Sequence, residues 1–122
     1  ANNVMPCDLG QLLTESDIVT IHTPLDATTR NMLSRARISQ MKPDSLLLNT
    51  ARGGLVDEDA LCTALAENHL AGAGLDVFSS EPPGHHPLLD YENVITTAHI
   101  GGHSEDAILG MGRAAIKGLI NA

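Results

Sequence analysis

At 122 residues, with 43% hydrophobic and 18% charged side chains, the chain has the length and composition of one domain built on one core. Tyr91 and Phe78 are its only aromatics and Trp is absent, so the core must be aliphatic and stacking on nucleic-acid bases is disfavoured. The 15 acidic against 7 basic residues give a net charge of −8 with no Lys/Arg cluster, which argues against nucleic acid and anionic membranes as partners, and no apolar run has the length of a membrane span.

A short helix is expected around Leu9 to Glu15, followed by a first strand over Asp17 to Thr23 (DIVTIHT). Ser34 can cap a helical segment in which Ile38 and Met41 share a face and which Pro43 stops. The second strand reads Ser45 to Ala51 (SLLLNTA), and Asp57 can cap a helix over Glu58 to Glu67, with acids in the first turn and Leu61 and Leu65 on one side. The third strand covers Ala71 to Phe78 (AGAGLDVF), the irregular loop Glu81 to Pro87 follows, and the fourth strand runs Asn93 to His99 (NVITTAH). Ser104 can cap a last helix whose stripe is Ile108, Met111, Ala115 and Leu119. Apolar strands alternating with helical segments give an α/β fold, a partial Rossmann-like, doubly wound parallel sheet of about four strands with flanking helices on both faces.

In such a sheet the ligand crevice lies beyond the carboxyl ends of the strands. The first strand runs into His22, Thr23 and Pro24, the second into Asn49, Thr50 and Arg52, the third into Asp76 and Glu81, and the fourth into His99, Gly101 and Gly102. Arg52, in NTARGG, can grip a carboxylate through two parallel hydrogen bonds, though a solvated loop arginine is the plainer reading. A histidine beside a carboxylate has its tautomer fixed and its charged form stabilised, as a general acid and base near neutrality requires, so His99 with Glu81 can move a proton while Arg52 holds an anion. His99 has a plain reading as a strand-end histidine, and Asp76 as a strand-end acid that can also accept a hydrogen bond from a ligand amide. His85 and His86, being adjacent, cannot copy a helical i, i+4 metal face, and no metal site is expected. Cys7 and Cys62 are isolated thiols suited to packing in a reducing compartment; with no signal-peptide pattern at the N-terminus, a cytoplasmic protein is expected.

The runs HTPLDATT, MKPDSLLLNTARGGLVDEDAL, HLAGAGLDVFSSEP, HPLL and TAHIGG, in this order and spacing, resemble the second half of the nucleotide-binding domain of the D-isomer-specific 2-hydroxyacid dehydrogenases, a family that includes phosphoglycerate dehydrogenase and hydroxypyruvate reductase. The resemblance covers nearly all of the chain from about Leu9. It implies that Arg52 binds the substrate carboxylate, that Glu81 pairs with the catalytic histidine, and that His99 is that histidine. It further implies that Thr23, Thr50, Ala51, Asp76, Gly101 and Gly102 line the cofactor, NAD or NADP, with Asp76 near the nicotinamide amide. Ala98 departs from the proline common before that histidine.

The pyrophosphate of a dinucleotide needs a Gly-rich turn between a strand and a helix, and GAGLDV supplies only two of the three glycines, along a strand. Residues 1–122 are therefore expected to be the C-terminal half of a dinucleotide-binding domain, with the Gly-rich half and the substrate domain absent from this chain. The implied parent is an oxidoreductase, a homodimer, acting on a small 2-oxo or 2-hydroxy acid. An NADH-sensing, corepressor-like binding protein and a catalytically inert fragment are the alternatives.

Overall fold

The computed structural model describes residues 4–120, so the outermost residues of the 1–122 domain assignment lie outside it. Four strands, β1 (Ile18–Ile21), β2 (Ser45–Asn49), β3 (Leu70–Leu75) and β4 (Val94–Thr96), form one sheet in the order β1-β2-β3-β4. All three pairings are parallel, and one register line runs Val19, Leu47, Ala73, Val94 across the sheet. The helices are α1 (Leu9–Glu15), α2 (Arg35–Ile38), α3 (Glu58–Ala66) and α4 (Glu105–Ile120), with a 3₁₀ turn at Pro87–Asp90.

Local chemistry sets the helix ends. Asp8 accepts from the Gln11 N–H at 2.9 Å and Asp57 from the Ala60 N–H at 3.0 Å, each satisfying a first-turn donor that the helix itself leaves unpaired. Ser34 stands at the start of α2, but its side chain caps nothing; the Arg37 and Ile38 N–H groups bond to its carbonyl instead. Asn68, at φ 55°, turns the chain out of α3 in the left-handed conformation that closes many helices.

Helices α1, α2 and α3 form one contiguous layer, α2 touching both others, and pack on the face carrying Val19, Ile21, Leu47, Ala73 and Leu75. Leu13, Ile38, Met41, Leu61 and Leu65 meet that face; burying an aliphatic side chain of this size stabilises by about 1.5–3 kcal/mol. The expectation of helices on both faces is not met. Where strands are added in one direction, right-handed crossovers all land on the same side, and the other face is covered only where the order reverses. Ile18, Leu46 and Ile95 are accordingly exposed on the opposite face. The stripe on α4 forms as a helix face, with the Ser104 hydroxyl accepting from the Ala107 N–H at 3.2 Å, yet no described residue of α4 is buried. Cys62 packs against the core, whereas Cys7 is exposed and has no packing role.

The glycines of GAGLDV serve the sheet. A Cβ on Gly72 would stand 2.4 Å from the Asn93 carbonyl oxygen, and one on Gly74 2.8 Å from a Leu48 methyl, so both mark close approach inside β3 rather than a phosphate turn.

Candidate active site

Each strand stops two or three residues short of its sequence-based end, and the released residues build the crevice. After β2 the chain turns sharply. Buried Asn49 shapes this turn: its Nδ2 donates to the Arg52 carbonyl at 2.9 Å and its Oδ1 accepts from the Ala51 N–H at 3.1 Å. Arg52 is thus presented with its guanidinium at the surface, Nη1 donating to the Ala51 carbonyl at 2.6 Å. Thr23, Thr50, Ala51 and Arg52 line one cleft with His22, Pro24 and Leu25, of about 690 Å³. In its wall the Thr23 hydroxyl is buried and has no hydrogen-bond partner among the described residues, an orphaned polar group that a ligand with hydrogen-bonding oxygens or nitrogens would satisfy.

Beyond β3 and β4 lies the second group. Glu81 Oε2 stands 2.7 Å from His99 Nδ1, and Glu81 Oε1 accepts from the Phe78 N–H at 3.0 Å. The hydrogen bond from His99, then that from Phe78, hold the Glu81 carboxyl below its ordinary value. At neutral pH it is therefore an acceptor only, so His99 Nδ1 carries the proton and Nε2 is left to give or take one.

His99 is itself in the left-handed region, at φ 54°, a conformation that costs a non-glycine residue about 1–3 kcal/mol and persists only where its surroundings enforce it. Asp76 does so. Only 4% exposed, it accepts from the Ile100 N–H at 2.8 Å and the Gly101 N–H at 2.8 Å, and also from the Thr97 hydroxyl, so donors on both sides of His99 converge on one carboxylate. Burial by itself would raise the Asp76 carboxyl; these hydrogen bonds and the neighbouring His99 outweigh it and leave it below the ordinary value.

Asp76, Glu81 and His99 line a cleft of about 560 Å³ with Phe78, Pro82, Pro83, Leu89 and Thr97. Arg52 faces the other cleft and shares no hydrogen bond with the pair. The two groups touch through the backbone, because Gly53 lies directly against Phe78. Gly101 belongs to the Asp76 network; Gly102 follows it in open space. Asn49 was named in the sequence only as a polar residue at the end of the second strand and not as a site residue; its two partners, the Arg52 carbonyl and the Ala51 N–H, are backbone atoms, which no side-chain pattern announces. Among the described residues no three His, Cys, Asp or Glu side chains gather to hold a metal, and no helix is long and apolar enough to cross a membrane.

Residues 1–101 match the family described as D-isomer specific 2-hydroxyacid dehydrogenase, NAD binding domain. The D-3-phosphoglycerate dehydrogenase of Escherichia coli strain K12 is 49% identical over 104 residues, covering 81% of this chain and 25% of that protein. The glyoxylate/hydroxypyruvate reductase B of Pectobacterium carotovorum strain PC1 is 44% identical over 121 residues, covering 98% of this chain and 38% of the reductase. Among solved structures, the NAD-complexed D-isomer specific 2-hydroxyacid dehydrogenase of Lactobacillus delbrueckii ssp. bulgaricus superposes with a TM-score of 0.85 at 34% identity, over 93% of this chain and 39% of that one. The chain thus spans between a quarter and two fifths of the length of these relatives.

Proposed function

Because the chain belongs to the NAD-binding-domain family of the D-isomer-specific 2-hydroxyacid dehydrogenases, we propose that the full-length polypeptide interconverts a small 2-oxo acid and the corresponding D-2-hydroxy acid with NAD or NADP. The observation that carries this reading is the 2.7 Å pairing of His99 with Glu81 on a loop pinned by Asp76. The cleft at Thr23, Thr50 and Ala51, with its orphaned hydroxyl, suits part of the dinucleotide; Gly101 and Gly102 lie outside that cleft, and their part in cofactor binding rests on the family resemblance. A bound nicotinamide supplies the hydride when the carbonyl is reduced and takes it in the reverse direction.

The protein's part is binding, orientation and proton movement. Arg52 grips the substrate carboxylate through two parallel N–H donors and draws charge toward the carbonyl. His99 Nε2 gives a proton to the carbonyl oxygen as it becomes a hydroxyl, and takes it back in oxidation. Glu81, ionised, keeps the proton of Nδ1 in place and stabilises the imidazolium form. Asp76 is already engaged with the loop through three hydrogen bonds; its remaining acceptor capacity can face the nicotinamide amide. On the same reading residues 1–122 make up the second half of a dinucleotide-binding domain in a homodimeric enzyme, and selectivity for the substrate side chain comes largely from other parts of the polypeptide.

The test is turnover of NADH or NADPH by the full-length polypeptide with glyoxylate, hydroxypyruvate and larger 2-oxo acids. Saturable reduction of at least one of them is expected. Tight NADH binding with no turnover of any 2-oxo acid overturns the enzyme reading in favour of an NADH-sensing protein.

A further inference from the structure

A second histidine and carboxylate pair lies outside the site. Glu58, in the first turn of α3, accepts from the Ser79 N–H at 2.7 Å, from the Ser79 hydroxyl at 2.7 Å and from the His86 ring at 3.1 Å. His86 Nδ1 accepts from the Leu88 N–H at 3.2 Å, so the ring proton sits on Nε2 and that nitrogen is the donor to Glu58. Both side chains are largely shielded, and the His86 ring rests on Phe78 with centroids 5.4 Å apart.

Ser79 and His86 are the two ends of the loop that contains Glu81. Between them the chain has no regular hydrogen bonding, and Gly84 stands in open space at φ 60°. A loop of this kind left free would spread the Glu81 carboxylate over many positions, and ordering its ends adds to the hold that the Phe78 N–H and His99 have on it. One carboxylate holds both ends. Hydrogen bonds to an ionised group are roughly twice as strong as neutral ones. Glu58 also follows Arg52 by six residues, and the turn between them lies against Phe78 at Gly53.

We propose that Glu58 is a positioning residue: by clasping Ser79 and His86 it sets Glu81, and through Glu81 the His99 ring, relative to Arg52. The reaction roles of these three residues are those of the proposed function, on which this inference rests. Its structural content is separate, since it concerns where Glu81 stands.

The test uses the full-length polypeptide. The Nδ1 shift of His99, assigned by its loss in His99→Gln and read in long-range proton–nitrogen spectra, reports the bond to Glu81. Glu58→Ala and Ser79→Ala are expected to move it toward its position in Glu81→Gln, while Ser79→Thr, which keeps the hydroxyl, leaves it unchanged. In parallel, kcat of Glu58→Ala falls by about 10- to 100-fold, with NADH affinity retained, as expected for a displaced reacting group. If Glu58→Ala does not fold, Ser79→Ala, which removes one of the three bonds, decides by the same resonance. Folded variants whose His99 resonance stays at the wild-type position overturn the proposal whether or not the polypeptide reduces 2-oxo acids. A resonance that responds as expected in a polypeptide without turnover upholds the positioning and overturns only the reaction.

Discussion

Gly53 and the carbonyl of Phe78 meet backbone to backbone: a Cβ on Gly53 would stand 1.8 Å from the carbonyl oxygen and 2.1 Å from its carbon. The turn that presents Arg52 and the segment that leads into Glu81 are therefore seated on each other, and no side-chain rotation can relieve an added methyl. Gly53→Ala is expected to lower stability by about 1–3 kcal/mol, the usual range for overpacking, and to separate Arg52 from the His99 and Glu81 pair. A urea midpoint equal to that of the wild type would show that the two segments do not touch in solution.

His99→Gln in the full-length polypeptide is expected to cut turnover by roughly 100-fold or more while NADH affinity is kept, because general acid and base catalysis is commonly worth that factor. Arg52→Lys should also fail despite keeping its charge, since an ammonium cannot reproduce a planar two-point grip on a carboxylate. Steady-state kinetics with the best 2-oxo acid, alongside fluorescence titration of NADH, separates the two effects. Near-normal turnover in His99→Gln removes His99 from the role of acid.

The sheet was legible because Ile18–Ile21 and the leucines of Ser45–Asn49 make nearly continuous apolar or β-branched runs, and Asp57 announced the start of α3. The strand ends were not legible. Thr23, Ala51 and Phe78 are residue types that strands accept, but their backbones, like that of His99, leave the ladder to make turns around ligand space. The same limit hid the work of Asp76. Its partners at Ile100 and Gly101 are main-chain N–H groups 24 and 25 residues away, so nothing in the sequence distinguishes it from a ligand-facing acid. Glu58 looked like a helix-start acid because His86 stands 28 residues further on.

Acid stability tests the Asp76 network. Hydrogen bonds from Thr97, Gly101 and Ile100, overcoming the opposing effect of burial, lower the Asp76 carboxyl from 3.8, and His99 with Phe78 lower Glu81 from 4.5. The unfolded chain thus binds more protons than the native one in this range, and stability rises with pH there. Both contributions are fully present above the unfolded values and are lost as pH falls through the lower native ones. Asp76→Asn should flatten this dependence below about pH 4 and, by leaving a loop N–H facing an amide NH₂, cost about 1–3 kcal/mol at neutral pH. Denaturant melts from pH 2 to 7 provide the measurement; parallel curves for the two proteins would mean that Asp76 does not hold the loop.

The two faces of the sheet make opposite demands on neighbouring register lines. Leu47, on the line with Ala73 and Val94, is 0% exposed beneath the helical layer, whereas Ile95, one line over with Leu48 and Gly74, is 74% exposed. Leu47→Ala removes two methyl groups and the methine that carries them from a packed site, and the expected cost is about 2–5 kcal/mol. Ile95→Thr keeps the β-branch that suits a strand and gives up apolar area that water already reaches, so its effect should stay within about 0.5 kcal/mol. The same substitution, combined with Ile18→Thr at the other edge, should reduce binding of a hydrophobic dye by the 122-residue chain, because contiguous exposed apolar area is what such dyes occupy. Urea melts of the single variants decide between the faces. If Ile95→Thr were as costly as Leu47→Ala, the face carrying Ile18, Leu46 and Ile95 would be covered in solution, and the single helical layer would not describe the folded state.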